Sequence, residues 1–132
     1  MARFRLTSPK IKITENHVEK ACIQLAEYKG YYPLRLHVGR YIHADKQVLR
    51  ALTEAGVPFR MATMGVPGLP DWVLIHGEHS AFLLETKAPD GRLSKDQEQM
   101  HWILRQCHRV KVCVANSVAR FEAFLADHER SP

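Results

Sequence analysis

At 132 residues, 45% hydrophobic and 25% charged, the chain has the length of one domain and the balance of an ordinary globular protein, which excludes long disorder and collagen-like repeats. No run approaches the ~20 apolar residues that cross a bilayer, and Met1 to Lys12 carries basic residues without the apolar stretch of a secretory signal. The formal charge of +5 is uneven: Arg3, Arg5, Lys10 and Lys12 precede the first acid, so a basic arm over residues 1–13 leads into a nearly neutral body over 14–132, an arrangement that suits either a polyanionic partner or a solubility tail.

In chain order, Thr14 is placed to cap a helix running to about Lys29, with Val18, Ala21, Cys22, Leu25 and Tyr28 on one face and Gly30 as its stop. Tyr31 to Val38 alternates and reads as a strand, with Tyr32, Leu34, Leu36 and Val38 on its apolar side. A second amphipathic helix is predicted over Asp45 to Ala55, and residues 57–70 read as a strand entering the loop Gly65-Val66-Pro67-Gly68-Leu69-Pro70. Strands follow at Asp71–His76 and Ala81–Lys87, the first a continuous apolar run of the kind covered on both faces. Ser94 and Gln97 have capping-box spacing at the head of a helix to about Cys107. Val110–Ala115 reads as a buried strand, and Ser117 caps a closing helix to about His128. Helices and strands in this order predict an α/β domain with helices on the faces of a sheet.

Cys22, Cys107 and Cys113 are an odd number with no C-x-x-C pair. They exclude a disulfide scaffold and a four-cysteine zinc site, fit a reducing cytoplasm, and each reads as a small buried hydrophobe. His76 and His79 read as a solvated turn, and Trp72 and Trp102 as core.

The stretch from Gly65 to Gln97 carries the chemistry. Asp71 opens one strand and Glu85-Thr86-Lys87 closes the next; in an antiparallel pair these fall at the same end of the sheet. Strand periodicity sets Glu85 and Lys87 on one face and turns Thr86 away. Charges at the ends of apolar strands need a compensating partner, and paired hard carboxylates are what Mg²⁺ takes alongside waters and a substrate phosphate. Lys87 is placed either to orient or deprotonate a water or to stabilise charge on the phosphate. Arg35, His37, His43 and Arg40 form a candidate phosphate-contacting strip. Arg105, His108, Arg109 and Lys111 form a milder basic patch.

The neighbouring residues extend this pattern. Gly65-Val66-Pro67-Gly68-Leu69-Pro70-Asp71, Glu85-Thr86-Lys87, Gly91-Arg92-Leu93-Ser94-Lys95-Asp96-Gln97 and Val114-Ala115-Asn116-Ser117 resemble, in order, the motifs of the virus-type replication-repair nuclease (VRR-NUC) domains of the PD-(D/E)xK superfamily. The resemblance spans residues 14–125. It implies a restriction-endonuclease-like α/β fold, a central mixed sheet flanked by helices, and a Mg²⁺-dependent DNA endonuclease for which Mn²⁺ substitutes. By the same resemblance Asp71, Glu85 and the Thr86 carbonyl hold the metal, and Lys87 is the catalytic lysine. Gln97 faces the site, and Glu15, or Glu19 one turn later, adds an acidic group. Lys10, Lys12, Arg92 and Lys95 join Arg35, His37 and Arg40 as DNA-binding candidates. Stand-alone members of the family resemble phage or bacterial enzymes and are homodimers, a symmetry suited to branched DNA such as a four-way (Holliday) junction in replication, recombination or repair. The segment at about 40–60 is longer than the family's usual link and reads as an insertion. The alternatives are a non-catalytic DNA-binding or accessory module with the nuclease fold, and a restriction-type enzyme that reads sequence.

Overall fold

The computed structural model describes residues 11–36, 39–41, 46–58, 62–64, 66–107 and 109–131. The elements are α1 (Glu15–Tyr28), β1 (Tyr32–Arg35), β2 (Gly39–Tyr41), α2 (Lys46–Glu54), β3 (Ala62–Met64), β4 (Trp72–Ile75), β5 (Phe82–Thr86), α3 (Lys95–Arg105), β6 (Val112–Ala115) and α4 (Val118–Arg130). Four strands form a mixed sheet in the order β1-β4-β5-β6; β1/β4 and β4/β5 are antiparallel, whereas β5/β6 is parallel. The parallel pair needs a crossover, which α3 supplies. No helix among the described residues is long and apolar enough to cross a membrane.

The register separates two faces. Trp72 lies opposite Leu84, Leu74 opposite Phe82, and Leu84 and Thr86 opposite Cys113 and Ala115. This face packs on α1 through Val18, Cys22 and Ala26, and on α4 through Phe121 and Leu125. Removing each of these larger apolar side chains from water contributes about 1.5–3 kcal/mol. The other face carries Leu83, Glu85, Val112 and Val114, and α3 meets it near Glu85. Strand β5 lies between two partners and is the most deeply buried of the set.

The predicted caps at Thr14, Ser94 and Ser117 are all observed, the last accepting the Arg120 N–H, and the box predicted at Ser94 and Gln97 is present. The Thr14 hydroxyl accepts the His17 N–H, and the Ser94 hydroxyl accepts the Gln97 N–H. Of the predicted Tyr31–Val38 strand, Tyr32–Arg35 forms β1 and pairs with β4, His37 and Val38 lie outside the described residues, and β2 pairs with β3 in a separate antiparallel ladder. The Tyr32 and Leu34 side of β1 is exposed rather than buried, because β1 is an edge strand and α1 lies on the opposite face. Trp102 is 64% exposed on the outer side of α3, and Tyr28, at the end of α1, and Cys107 are also exposed. Cys22 and Cys113 are buried, and burial pushes their thiols up to about 11 and about 12.

The β4–β5 turn is not a free solvated loop. The Glu78 N–H donates to His76 Nδ1 at 2.9 Å, and His76 Nε2 lies 3.1 Å from the Lys29 carbonyl, so the tautomer protonated on Nε2 satisfies both contacts. His128 Nε2 meets the Ser80 carbonyl at 2.6 Å, and Tyr31 O–H donates to Glu129 at 3.4 Å. These bonds tie the ends of α1 and α4 to the turn.

Candidate active site

The opposite end of the same hairpin is built differently. The turn before Asp71 is pressed against the start of α3: Gly68 has φ +83°, and a Cβ there would lie 2.2 Å from the Asp96 carbonyl oxygen. Glycine is therefore required both by the left-handed backbone and by the close approach. Pro70 is buried behind it, and the Asp71 carbonyl accepts the Leu36 N–H at 2.7 Å, which extends the β1–β4 pairing past the end of the strands.

Asp71 thus enters from the start of β4 and Glu85 from the end of β5, while α1 brings Glu15 in its first turn. One carboxylate oxygen from each of Glu15, Asp71 and Glu85 lies within 4.8 Å of the other two. Glu85 is 1% exposed, Asp71 half-buried and Glu15 exposed. Lys87 Nζ sits 3.4 Å from Glu85 Oε1, with the lysine side chain only 15% exposed. Gln97 Nε2 donates to the same oxygen at 2.9 Å.

Gln97 is held on both sides of its carboxamide. Its Oε1 accepts the Ser94 N–H at 2.9 Å as half of the capping box, and this leaves the NH₂ group to meet Glu85. The cap of α3 and the support of Glu85 are one side chain. Thr86 contributes through its backbone, which hydrogen-bonds to the Asp71 carboxylate; its hydroxyl is on the core face, buried without a partner.

Two oxygens stand out. Among the described residues, Asp71 Oδ2 and Glu85 Oε2 are buried with no hydrogen-bond partner, a costly state for a carboxylate. The electrostatics follow from that burial. Burial and the Asp71 charge push the Glu85 carboxyl up to about 7, against the opposing pull of Lys87. Asp71 is raised by burial and by the charges of Glu19 and Glu15, while the Thr86 backbone bond and Arg35 oppose the shift. Three crowded carboxylates, two of them with an unpartnered buried oxygen, fit a hard divalent cation, whose charge would favour all three ionised forms together.

Glu19 does not join this cluster. It ion-pairs with Arg35 Nη1 at 3.0 Å. Its partner in that pair was not visible in the sequence, since the two lie on different elements brought together by the fold. Of the other DNA-binding candidates, Arg92 is exposed in the loop between β5 and α3, Lys95 is exposed at the first position of α3, and Lys12 is exposed before α1. Lys10 and His37 lie outside the described residues, as does the side chain of Arg40 on β2. His101, one turn after Gln97, is buried with neither ring nitrogen partnered among the described residues; burial first, then the charges of Arg105 and Lys87, lowers its pKa. Sequence reading did not single it out, because a histidine at that helical spacing is indistinguishable from a surface residue without the sheet beneath it.

A family model described as the VRR-NUC domain matches residues 13–119. No curated protein matches the chain.

Proposed function

The chain belongs to the VRR-NUC domain family, a nuclease-type domain, and from that premise we propose that it is a divalent-metal-dependent endonuclease that hydrolyses DNA phosphodiester bonds. The observation that carries this reading is the convergence of Glu15, Asp71 and Glu85 within 4.8 Å, two of them with buried unpartnered oxygens, under Lys87 and Gln97. Asp71, Glu85 and Glu15 are the residues to hold the ion, with Mg²⁺ the natural occupant and Mn²⁺ able to replace it. When bound, such an ion supplies charge stabilisation to the phosphate and lowers the pKa of a water. Lys87 holds a proton at Nζ and presents positive charge where negative charge develops on the phosphate. Gln97 fixes the orientation of Glu85 so that its second oxygen stays turned into the site. Arg35, Arg92, Lys95 and Lys12 supply phosphate contacts around it.

We further propose a branched DNA substrate, such as a four-way junction, cut by a homodimer. Tyr32, Leu34 and Ile75 share the outer sheet face by register and are exposed, which supports burial of that face against a second copy. The test is cleavage of a labelled four-way junction and a matching linear duplex, with Mg²⁺ or Mn²⁺, by the parent domain and Asp71→Ala. Metal-dependent cutting that the variant loses by at least ~10³-fold is expected, with the junction preferred. Equal cutting of both substrates would remove the junction assignment, and discrete sequence-placed products would favour a restriction-type enzyme. DNA binding without cutting, and without any rise in melting temperature on adding metal, would leave the binding-module reading.

A further inference from the structure

Glu15 and Glu19 stand one turn apart on α1, yet the fold gives them different neighbours. Glu15 faces Asp71 and Glu85, whereas Glu19 faces Arg35, on the neighbouring edge strand β1. The Arg35 side chain is 47% exposed and that of Glu19 20%. Arg35 is held from a second direction: its guanidinium carbon lies 5.2 Å from the centre of the Trp72 ring, and Trp72 is the residue opposite Arg35 in the β1–β4 register. Glu19, Arg35 and Trp72, with Lys20, Ile23 and Gln24, line a groove of about 310 Å³. The groove adjoins the site, since Trp72 follows Asp71 directly and the charges of Arg35 and Glu19 both act on the Asp71 carboxyl.

An exposed arginine is a flexible side chain, and fixing it on binding costs conformational entropy. Here a carboxylate at one edge and an indole beneath fix the guanidinium in advance. Nη1 is committed to Glu19, and the remaining N–H donors meet no other hydrogen-bond partner among the described residues, in the fork geometry that suits phosphate oxygens. Taking the nuclease reading as its basis, we propose that Glu19 is a positioning residue for DNA binding. It holds Arg35 over Trp72 so that the free edge of the guanidinium receives a backbone phosphate in the groove beside Asp71. An acidic residue on a DNA-binding face then strengthens binding.

This runs against simple charge counting, in which removing an acid tightens binding to a polyanion. Affinity for labelled duplex and junction DNA is measured by fluorescence anisotropy, with Ca²⁺ in place of Mg²⁺, for the parent domain, Glu19→Ala, Glu19→Gln, Arg35→Ala and the Glu19→Ala/Arg35→Ala pair. Glu19→Ala and Arg35→Ala are each expected to weaken binding by about tenfold. Each lowers the salt-dependence slope by about one phosphate, and the double variant is no weaker than Arg35→Ala alone. Glu19→Gln, which keeps an oxygen acceptor for Nη1, restores most of the affinity. In cleavage assays the loss falls on KM rather than kcat, and melting temperatures show that every variant is folded. Unchanged or tighter binding by Glu19→Ala overturns the proposal while leaving the nuclease reading intact. Absence of any DNA affinity in the parent domain would remove both.

Discussion

The two ends of the β4–β5 hairpin are made from similar materials and put to opposite uses. At the turn end, His76, His128 and Tyr31 each meet a partner in a neighbouring element, though His128 Nδ1 has none among the described residues, and the result is a latch that holds the ends of α1 and α4 to the sheet. At the other end, carboxylates are buried beside one another with two oxygens unpartnered, although Lys87 and Gln97 converge on a third. Buried polar groups that are satisfied stabilise a fold; groups left unsatisfied at one place mark where the protein has traded stability for a task. The prediction is a difference of sign. Removing a polar group at the turn end should destabilise the protein, and removing a charge at the site end should stabilise it while abolishing function.

The largest expected effect tests the backbone on which the site end depends. Gly68→Ala would force a Cβ into the Asp96 carbonyl and strain a left-handed residue, so it should destabilise the domain by about 3 kcal/mol or more and separate the Asp71 turn from α3. Urea denaturation and cleavage rate should both fall.

The next effect carries the sign reversal. A carboxyl whose folded pKa is raised contributes stability fully below its unfolded pKa and loses it as pH rises through the folded value. For Glu85, from an ordinary 4.5 to about 7, this means the metal-free domain weakens progressively between these pH values, by up to about 3 kcal/mol. Asp71 is shifted in the same direction. Glu85→Gln should therefore raise the melting temperature in EDTA at pH 8, flatten its pH dependence from 4.5 to 7, and leave no detectable cleavage. A Glu85→Gln domain that melts lower than the parent at pH 8 would break the contrast between the two ends.

The smallest effect lies at the turn end. Tyr31→Phe removes a 3.4 Å bond to Glu129 and should cost about 0.5–1.5 kcal/mol, with cleavage unchanged. A change in cleavage rate would mean that the latch and the site are coupled through the sheet.

What the sequence revealed follows the range of the forces involved. The capped helices and the β4–β5 hairpin are local: a hydroxyl three residues before its partner, and an apolar run broken by a turn, are written in adjacent positions. Asp71, Glu85 and Lys87 could be placed together because the hairpin brings them there without reference to distant segments, whereas Gln97 was placed beside them by the family resemblance. The switch from β1 to the β2–β3 ladder was not legible, since alternation continues through Leu36 and cannot say which partner a strand pairs with. Nor could spacing alone divide Glu15 from Glu19. A single helical turn separates them, and only the position of β1 across α1 sends one to the carboxylate cluster and the other to Arg35. Trp102 misled for the complementary reason: an aromatic residue in an amphipathic helix looks buried until it is known which side of the helix meets the sheet, and here the buried residue is the neighbouring His101.

The double duty of Gln97 makes the first turn of α3 and the integrity of the site a single event. Helix ends fray, and fraying here means releasing Ser94 and Glu85 together, because one carboxamide holds both. The population of molecules with an ordered Glu85 is then set by the opening equilibrium of a helix terminus. Amide hydrogen exchange at Gln97, whose N–H is bonded to the Ser94 hydroxyl, becomes a clock for the site. Any change that loosens the turn, Ser94→Ala first among them, should speed exchange there and lower activity in the same proportion.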